Sequence, residues 1–171
     1  MTIVEFYDKT AIENVAGALL CAPDRVILVG DNHKHMDKSI ADYRAVLAQR
    51  GIRTSFFCKP VNRNNLGSIL SALEQIVCED SDCIFDLTGG EDLYLVAVGM
   101  ILQKYGKTVQ CHRFNFKNNC LTDCDADGRL CSTRPFAISV EENIRIYGGE
   151  LVRSAIDGIA RSCRFRTHRS D

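Results

Sequence analysis

The chain has 171 residues, with 21 lysine and arginine residues against 22 aspartate and glutamate residues and a formal net charge of −1. This balance excludes a protein that coats nucleic acid through a broad basic face, because such binding depends on clustered positive charge. No apolar run is long enough to cross a membrane, and the N-terminus lacks the basic start and apolar core of a secretory signal. We therefore expect a cytoplasmic protein that has no contact with a membrane.

The beginning of the chain alternates between strand and helix patterns. Residues 3–7 predict a strand, and Thr10 with Glu13 predicts a capping box that opens the first helix. A second, buried strand is predicted at residues 26–29, and it leaves through a polar loop at residues 30–32. This arrangement is typical of a repeated strand–helix unit.

The same alternation continues further along the chain. The apolar positions of each predicted helix recur at helical spacing, and the predicted strands are short apolar runs. The remaining elements in order are a helix at 36–51, a strand at 53–58, a polar turn at 60–65, a helix at 66–77, a strand at 83–87, a helix at 91–105 and a strand at 107–116. Strands joined by helices lie parallel in one sheet, so the pattern predicts an α/β, doubly wound, Rossmann-like fold with helices on both faces.

The last third of the chain changes character. A turn at 125–128 predicts a β-hairpin, a capping box at Ser139 and Glu142 opens a helix, and residues 151–160 predict a last helix. We therefore divide the chain into a Rossmann-like domain at 1–115, a hairpin and helical extension at 116–160, and a basic tail or linker at 161–171.

The turn after the fourth predicted strand contains Thr88, Gly89 and Gly90. Paired glycines let the backbone approach a ligand closely, and the first N–H groups of the following helix favour an anion. This pattern predicts a phosphate site, although a tight connection capped by Thr88 or Asp92 explains the same residues equally well.

Ligands of such sheets lie beyond the carboxyl ends of the strands, where the strand exits meet. The histidines and lysine at 33–35 also follow a strand end, but a solvated basic loop explains them as well. The candidate ligand-binding residues are Asp8, Lys9, Thr10, Asn14, Gly30, Asp31, Asn32, Thr88, Gly89, Gly90, Glu91 and Asp92.

Known metal, nucleotide and catalytic motifs are missing from the sequence. Asp123, Asp125, Asp127 and Gly128 match the first half of an EF-hand loop, but Arg134 stands where the bidentate glutamate belongs. The nine cysteines are scattered and show no zinc-binding spacing, which favours reduced, buried thiols. Neither a dinucleotide fingerprint nor a P-loop occurs, and no complete catalytic set is found. We therefore predict no cofactor, no metal and no catalytic residue.

Two segments carry a resemblance to a known family. A strand followed by residues 8–14 (Asp-Lys-Thr-Ala-Ile-Glu-Asn), and the segment 85–90 (Phe-Asp-Leu-Thr-Gly-Gly) at the fourth strand, resemble the CRISPR-associated Rossmann fold (CARF) sensor domain. In particular, they are similar to the form at the N-terminus of the Card and Can effector nucleases of type III CRISPR systems. The likeness covers roughly residues 1–150.

The resemblance implies a homodimer, or a pseudo-dimer of two such folds, that binds cyclic oligoadenylate and regulates an effector nuclease domain in cis or in trans; we expect the tetramer as the ring. The residues that would then face the ligand are Asp8, Lys9, Thr10, Asn14, Thr88, Gly89, Gly90, Glu91 and Asp92. Family members commonly continue the turn with Thr-Lys, whereas Glu91 and Asp92 stand here. Two alternatives therefore stay open: a ring nuclease that degrades the same ligand, with Asp8, Asp31 or the Glu91 and Asp92 pair as the base, and a dimerisation module with a disabled site.

Overall fold

The computed structural model describes residues 1–106, 109–124, 129–153 and 163–166. Within these residues the strands are β1 (Thr2–Phe6), β2 (Arg25–Gly30), β3 (Ser55–Pro60), β4 (Cys83–Asp86), β5 (Gln110–Asn115), β6 (Cys120–Cys124), β7 (Leu130–Pro135), β8 (Glu150–Arg153) and β9 (Cys163–Arg166). The α-helices are α1 (Ala16–Cys21), α2 (His33–Gln49), α3 (Leu66–Glu79), α4 (Asp92–Tyr105) and α5 (Val140–Arg145).

Strands β1 to β7 form one sheet in the order β3-β2-β1-β4-β5-β6-β7. The strands from β3 to β5 are parallel, and β6 and β7 add an antiparallel hairpin to the β5 edge. Side chains alternate across β1, so that Ile3 packs with α1 and α2 on one face while Val4 packs with α3 and α4 on the other. The predicted doubly wound, mainly parallel fold is confirmed.

The start of the first helix differs from the prediction. A short 3-10 helix, Ala11–Asn14, precedes α1, and the Thr10 side chain makes no capping hydrogen bond. The buried Asn14 side chain instead accepts the N–H of Asp8 and donates to the Asp8 carbonyl, both at 2.7 Å. These two hydrogen bonds hold residues 8–14 in a tight loop. The predicted capping box at Thr10 is therefore wrong, whereas the capping box at Ser139 and Glu142 is confirmed.

The C-terminal elements also differ. Residues 150–153 form β8, which pairs antiparallel with β9, so the predicted helix at 151–160 is wrong over its first three residues. Gly148, with φ 73°, ends the preceding helical turn, and the partner strand lies ten or more residues further along the chain, where local periodicity cannot reveal it. Strand β9 falls within the segment expected to be a basic tail. The predicted turn at 125–128 and residues 154–162 lie outside the described residues.

Free thiols are found at Cys21, Cys58, Cys78, Cys83, Cys111 and Cys120. Cys83 and Cys111 are buried as expected, whereas Cys21, Cys58 and Cys120 are half-buried and Cys78 is exposed, so the prediction of buried cysteines is wrong for Cys78. Among the helices described, none is both long and apolar enough to cross a membrane.

Candidate functional site

The carboxyl ends of β1, β2, β3 and β4 surround a cleft of about 460 Å³. Parallel strands that leave a sheet at the same edge bring their exit loops together, and this position is the usual ligand site of doubly wound folds. The lining residues are Tyr7, Asp8, Lys9, Asp31, Asn32, His35, Arg63, Gly90, Glu91 and Tyr94.

The glycine turn packs directly against the exit of β1. A Cβ on Gly89 would lie 2.7 Å from the carbonyl oxygen of Phe6, and a Cβ on Gly90 would lie 2.8 Å from the Phe6 Cβ. Gly90 also has φ 95°, a conformation that side chains rarely adopt. Both glycines are therefore required for packing, and their closeness to Phe6 brings the start of α4 beside Asp8 at the cleft.

Thr88 is held by the sheet rather than aimed at the cleft. Its N–H donates to Asp86 Oδ1 at 2.7 Å, and its Oγ1 accepts the N–H of Phe114 at 2.7 Å. The N–H and the Oγ1 of Thr88 therefore stabilise the turn and connect it to β5.

Arg63 links two of the predicted carboxylates. Its Nε lies 3.1 Å from Asp31 Oδ2, and its Nη1 donates to Glu91 Oε1 at 2.9 Å. Because Glu91 is committed to Arg63, its side chain does not cap α4, although it stands at the N-cap position. The N–H of Tyr94 donates to the Glu91 carbonyl at 2.9 Å, but the Glu91 side chain caps none of the first N–H groups of α4, and those of Asp92 and Leu93 favour an anion.

The cleft contains a neutral phenol beside its charged groups. Burial raises the pKa of Tyr94 to about 12, with a further contribution from Asp31 and Glu91. The pKa of Glu13 is also raised above its usual value, mainly by burial and to a smaller extent by the negative charge of Asp8. Tyr94 therefore remains a neutral hydrogen-bonding group at ordinary pH.

The structure brings together half of the predicted ligand-binding residues. Those that line the cleft are Asp8, Lys9, Asp31, Asn32, Gly90 and Glu91. The others lie behind or beside it: Asn14, Gly30 and Gly89 are buried, Thr10 and Thr88 are half-buried, and Asp92 is exposed in the first turn of α4. Asn14 acts by holding the Asp8 backbone and, through its Nδ2, contacts the Tyr43 hydroxyl at 3.0 Å.

Sequence reasoning missed four lining residues: Tyr7, His35, Arg63 and Tyr94. Arg63 was included only within the polar turn at 60–65, and His35 only within a loop that a solvated surface also explained. Only its position in the sequence could have identified Arg63 as a lining residue, because it follows a strand that ends at the carboxyl edge of the sheet.

No protein-family model and no curated protein sequence matches the chain. Among solved structures, Can2 from Sulfobacillus thermosulfidooxidans in complex with cyclic tetra-adenylate (cA4) superimposes with a TM-score of 0.72 at 16% identity, over 88% of this chain and 42% of Can2. Protein VC1899 from Vibrio cholerae gives 0.69 at 19% identity, over 90% of this chain and 41% of that protein. A type III CRISPR defence DNA nuclease activated by cyclic oligoadenylate gives 0.59 at 13% identity, over 93% and 25%.

At these identities the comparisons establish a shared fold. The chain shares its Rossmann-like fold with Can2 and with the DNA nuclease, in agreement with the resemblance found in the sequence. The chain spans less than half the length of each of these proteins, the shares being 42%, 41% and 25%.

Proposed function

We propose that this chain is a sensing domain that binds cyclic oligoadenylate, with cA4 as the preferred ring, across a homodimer. Binding regulates an effector nuclease domain, in cis or in trans, in type III CRISPR antiviral defence. The observation that carries the proposal is the cleft at the carboxyl edge of a sheet whose fold matches Can2, a protein solved in complex with cA4.

Phosphate groups are recognised by Lys9, by the start of α4 and by Arg63 in this proposal. Lys9 is exposed at the cleft, and α4 begins there with no side-chain cap from Glu91. Arg63 is half-exposed and paired with two carboxylates, so an incoming phosphate replaces one charge-assisted contact with another. The carboxylate of Glu91 then turns towards solvent.

Adenine rings stack against the aromatic groups of the cleft. Tyr7 and His35 line it beside the amide of Asn32, whose Oδ1 caps α2 by accepting the N–H of His35 at 3.1 Å and whose Nδ2 can donate to a base edge. Stacking on aromatic side chains is a general mode of recognition for unpaired bases. The mixture of ring faces and polar groups therefore suits a nucleotide better than an inorganic anion.

A homodimer is supported by the outward face of α4. Leu95, Val96 and Met100 on this face are 43%, 49% and 45% exposed, and a Cβ on Gly99 would meet nothing within 4 Å. Three adjacent exposed apolar side chains on one helix face are typical of a contact surface. Because α4 begins at the cleft, pairing through it brings two clefts side by side, as a two-fold symmetric ring requires.

The parts of the chain have separate roles in this proposal. Residues 1–115 bind the ligand, and the extension from residue 116, which includes the paired strands β8 and β9, relays binding. The relay is supported by the continuity of the sheet, since β6 and β7 extend the same sheet that carries the cleft.

Binding without cleavage is favoured by the state of the candidate bases. Asp31 and Glu91 are paired with Arg63, and Asp8 Oδ1 accepts the N–H of Thr10 at 2.8 Å. A general base must lie near the nucleophile, but Arg63 holds Asp31 and the Thr10 N–H holds Asp8, while Glu91 turns towards solvent when a phosphate takes its place on Arg63.

Calorimetric titration of the chain with cyclic and linear oligoadenylates of several lengths tests the proposal. We expect heat with cyclic rings, strongest with cA4, at one ring per two chains. Chromatography after incubation should return the ring intact, whereas linear products would support the ring nuclease. An absence of heat with every ligand at high protein concentration would contradict the sensor.

A further inference from the structure

Three buried ionisable side chains meet on the face of the sheet that packs against α1. Glu5 comes from β1, Asp86 ends β4, and His112 lies in β5; they are 1%, 0% and 0% exposed. One potential ligand atom of each lies within 4.8 Å of the others. The strand order places β1, β4 and β5 side by side, so three neighbouring strands at the centre of the sheet build the cluster.

The three ligand atoms converge on one point beside Gly17 of α1. A Cβ placed on Gly17 would lie 2.9 Å from Asp86 Oδ2, 2.9 Å from His112 Nε2 and 3.0 Å from Glu5 Oε1. These distances are nearly equal, and they describe a cradle that any side chain at position 17 would fill. Glycine therefore keeps open a space that is surrounded by three ligand atoms.

Hydrogen bonding within the described residues does not satisfy this cluster. His112 Nε2 lies 2.9 Å from Asp86 Oδ2, but Glu5 Oε1 and His112 Nδ1 have no hydrogen-bond partner in the described part of the chain. A buried carboxylate oxygen without a partner is strongly unfavourable unless a proton or a cation neutralises it. The orphaned oxygen is one of the three atoms that face the cradle.

We propose that Glu5, Asp86 and His112 bind a divalent transition-metal ion, with Zn²⁺ as the best match. One imidazole nitrogen and two carboxylate oxygens form a ligand set that suits Zn²⁺, and a 2+ ion balances the two buried carboxylates. This site does not depend on the proposed ligand of the cleft. It has a structural consequence, because Asp86 also accepts the N–H of Thr88 through Oδ1, so the metal fixes the carboxylate that holds the glycine turn.

A second group of potential ligands provides a matched control. His33, Asp37 and Cys58 also bring ligand atoms within 4.8 Å of one another, but His33 and Asp37 are exposed and Cys58 is half-buried. His33 Nδ1 lies 2.7 Å from Asp37 Oδ2, and the Cys58 thiol donates to Asp37 Oδ1 at 3.3 Å. Burial and the nearby Asp37 raise the pKa of Cys58 to about 11, which disfavours the thiolate that a metal requires.

The test is elemental analysis of the whole chain, expressed and refolded with Zn²⁺ because a buried site is loaded during folding. We expect one zinc per chain after dialysis, and Co²⁺ in its place should give visible d–d absorption. Glu5→Gln keeps the shape of the side chain and should weaken Zn²⁺ affinity at least about 10-fold in competition with a chelator. His33→Gln should leave zinc content and affinity unchanged.

Three outcomes overturn the proposal. One is wild-type protein without bound zinc or cobalt after refolding with either ion, which leaves a proton shared between Glu5 and Asp86 as the occupant of the cluster. Another is metal that is lost in His33→Gln and retained in Glu5→Gln. If Glu5→Gln does not fold, the melting temperature of the wild-type protein is the test: a chelator should lower it, and added Zn²⁺ should restore it. A melting temperature that neither the chelator nor Zn²⁺ changes would overturn the proposed site.

Discussion

Arg63 and Glu91 form a 2.9 Å ion pair between the loop after β3 and the first turn of α4. Both side chains are about half exposed, at 46% and 57%, so the pair contributes little to stability and is readily exchanged. The pair also explains how an acidic residue can stand at the start of a helix that is proposed to bind phosphate. Arg63 neutralises the carboxylate of Glu91, and its guanidinium group lies where we expect the phosphate to bind.

Replacing Arg63 by alanine should weaken cyclic oligoadenylate binding by about 10-fold, the value of one charge-assisted hydrogen bond. The change removes a phosphate ligand and leaves Asp31 and Glu91 unneutralised beside the cleft. Calorimetry measures the loss. Arg53→Ala removes the same charge from an exposed position before β3, at the opposite edge of the sheet, and should bind like wild type. Equal losses in the two variants would mean that only overall charge matters.

Glu91→Gln should have the opposite effect and tighten binding several-fold, by roughly 1 kcal/mol. The amide keeps the shape of the side chain, releases Arg63 for phosphate and removes a negative charge from the cleft. Glu79→Gln at the exposed end of α3 is the matched control and should leave the affinity unchanged. Unchanged or weaker binding by Glu91→Gln would show that the carboxylate does not oppose the ligand.

The periodicity of the sequence was sufficient to predict the sheet, because each strand–helix unit buries its own apolar face. It also placed Asp8, Asp31 and Glu91 at one edge. It could not assign Arg63, whose significance depends on two carboxylates that are distant in sequence. The sequence also could not show that Asn14 bonds the backbone of Asp8, because that contact depends on the loop that the two residues form.

The buried cluster was also beyond sequence reasoning. Glu5 and His112 lie in strands, and the alternation of a strand predicts on which face of the sheet a side chain lies. It does not predict which side chains of different strands meet on that face. Only the strand order places them together with Asp86. The sequence likewise did not reveal β8, because its partner β9 lies ten or more residues further along the chain. The spacing of apolar residues within 151–160 alone favoured a helix.

Stability should depend on pH through Glu142. Its carboxylate accepts from Arg50 at 2.6 and 3.0 Å, which with the N–H of Ser139 lowers the pKa of Glu142 from 4.5 to about 2. A lowered pKa in the folded state stabilises the protein above about pH 4.5, and this contribution is lost as the pH falls towards 2. After allowance for solvent screening we expect about 1 kcal/mol.

Urea unfolding of wild type and Glu142→Gln measures this contribution. The variant should be less stable by about 1 kcal/mol near pH 6, with a smaller difference near pH 3. Glu79→Gln provides the control for an exposed carboxylate. A difference between wild type and Glu142→Gln that does not change with pH would assign the effect to packing rather than to ionisation.

Gly90→Ala should destabilise the fold by about 2 kcal/mol or more, because the new Cβ needs a positive φ and space occupied by Phe6. Gly51→Ala isolates the first of these effects, since Gly51 has φ 71° and no atom within 4 Å of its added Cβ. It should cost about 1 kcal/mol. Urea unfolding compares the two variants, and equal losses would exclude a packing role for the turn.

Leu95→Glu should dissociate the proposed homodimer, because it places a charge in the centre of the exposed apolar face of α4. Sedimentation should show a mass near 19.1 kDa for the variant and twice that for wild type. Val140→Glu is the matched control, since Val140 is 73% exposed on α5 and the same charge there should leave the dimer intact. A two-fold symmetric ring needs both clefts, so ligand affinity should fall together with the dimer in Leu95→Glu. A monomeric wild type, or a variant that remains dimeric, would show that another surface, or none, joins two copies.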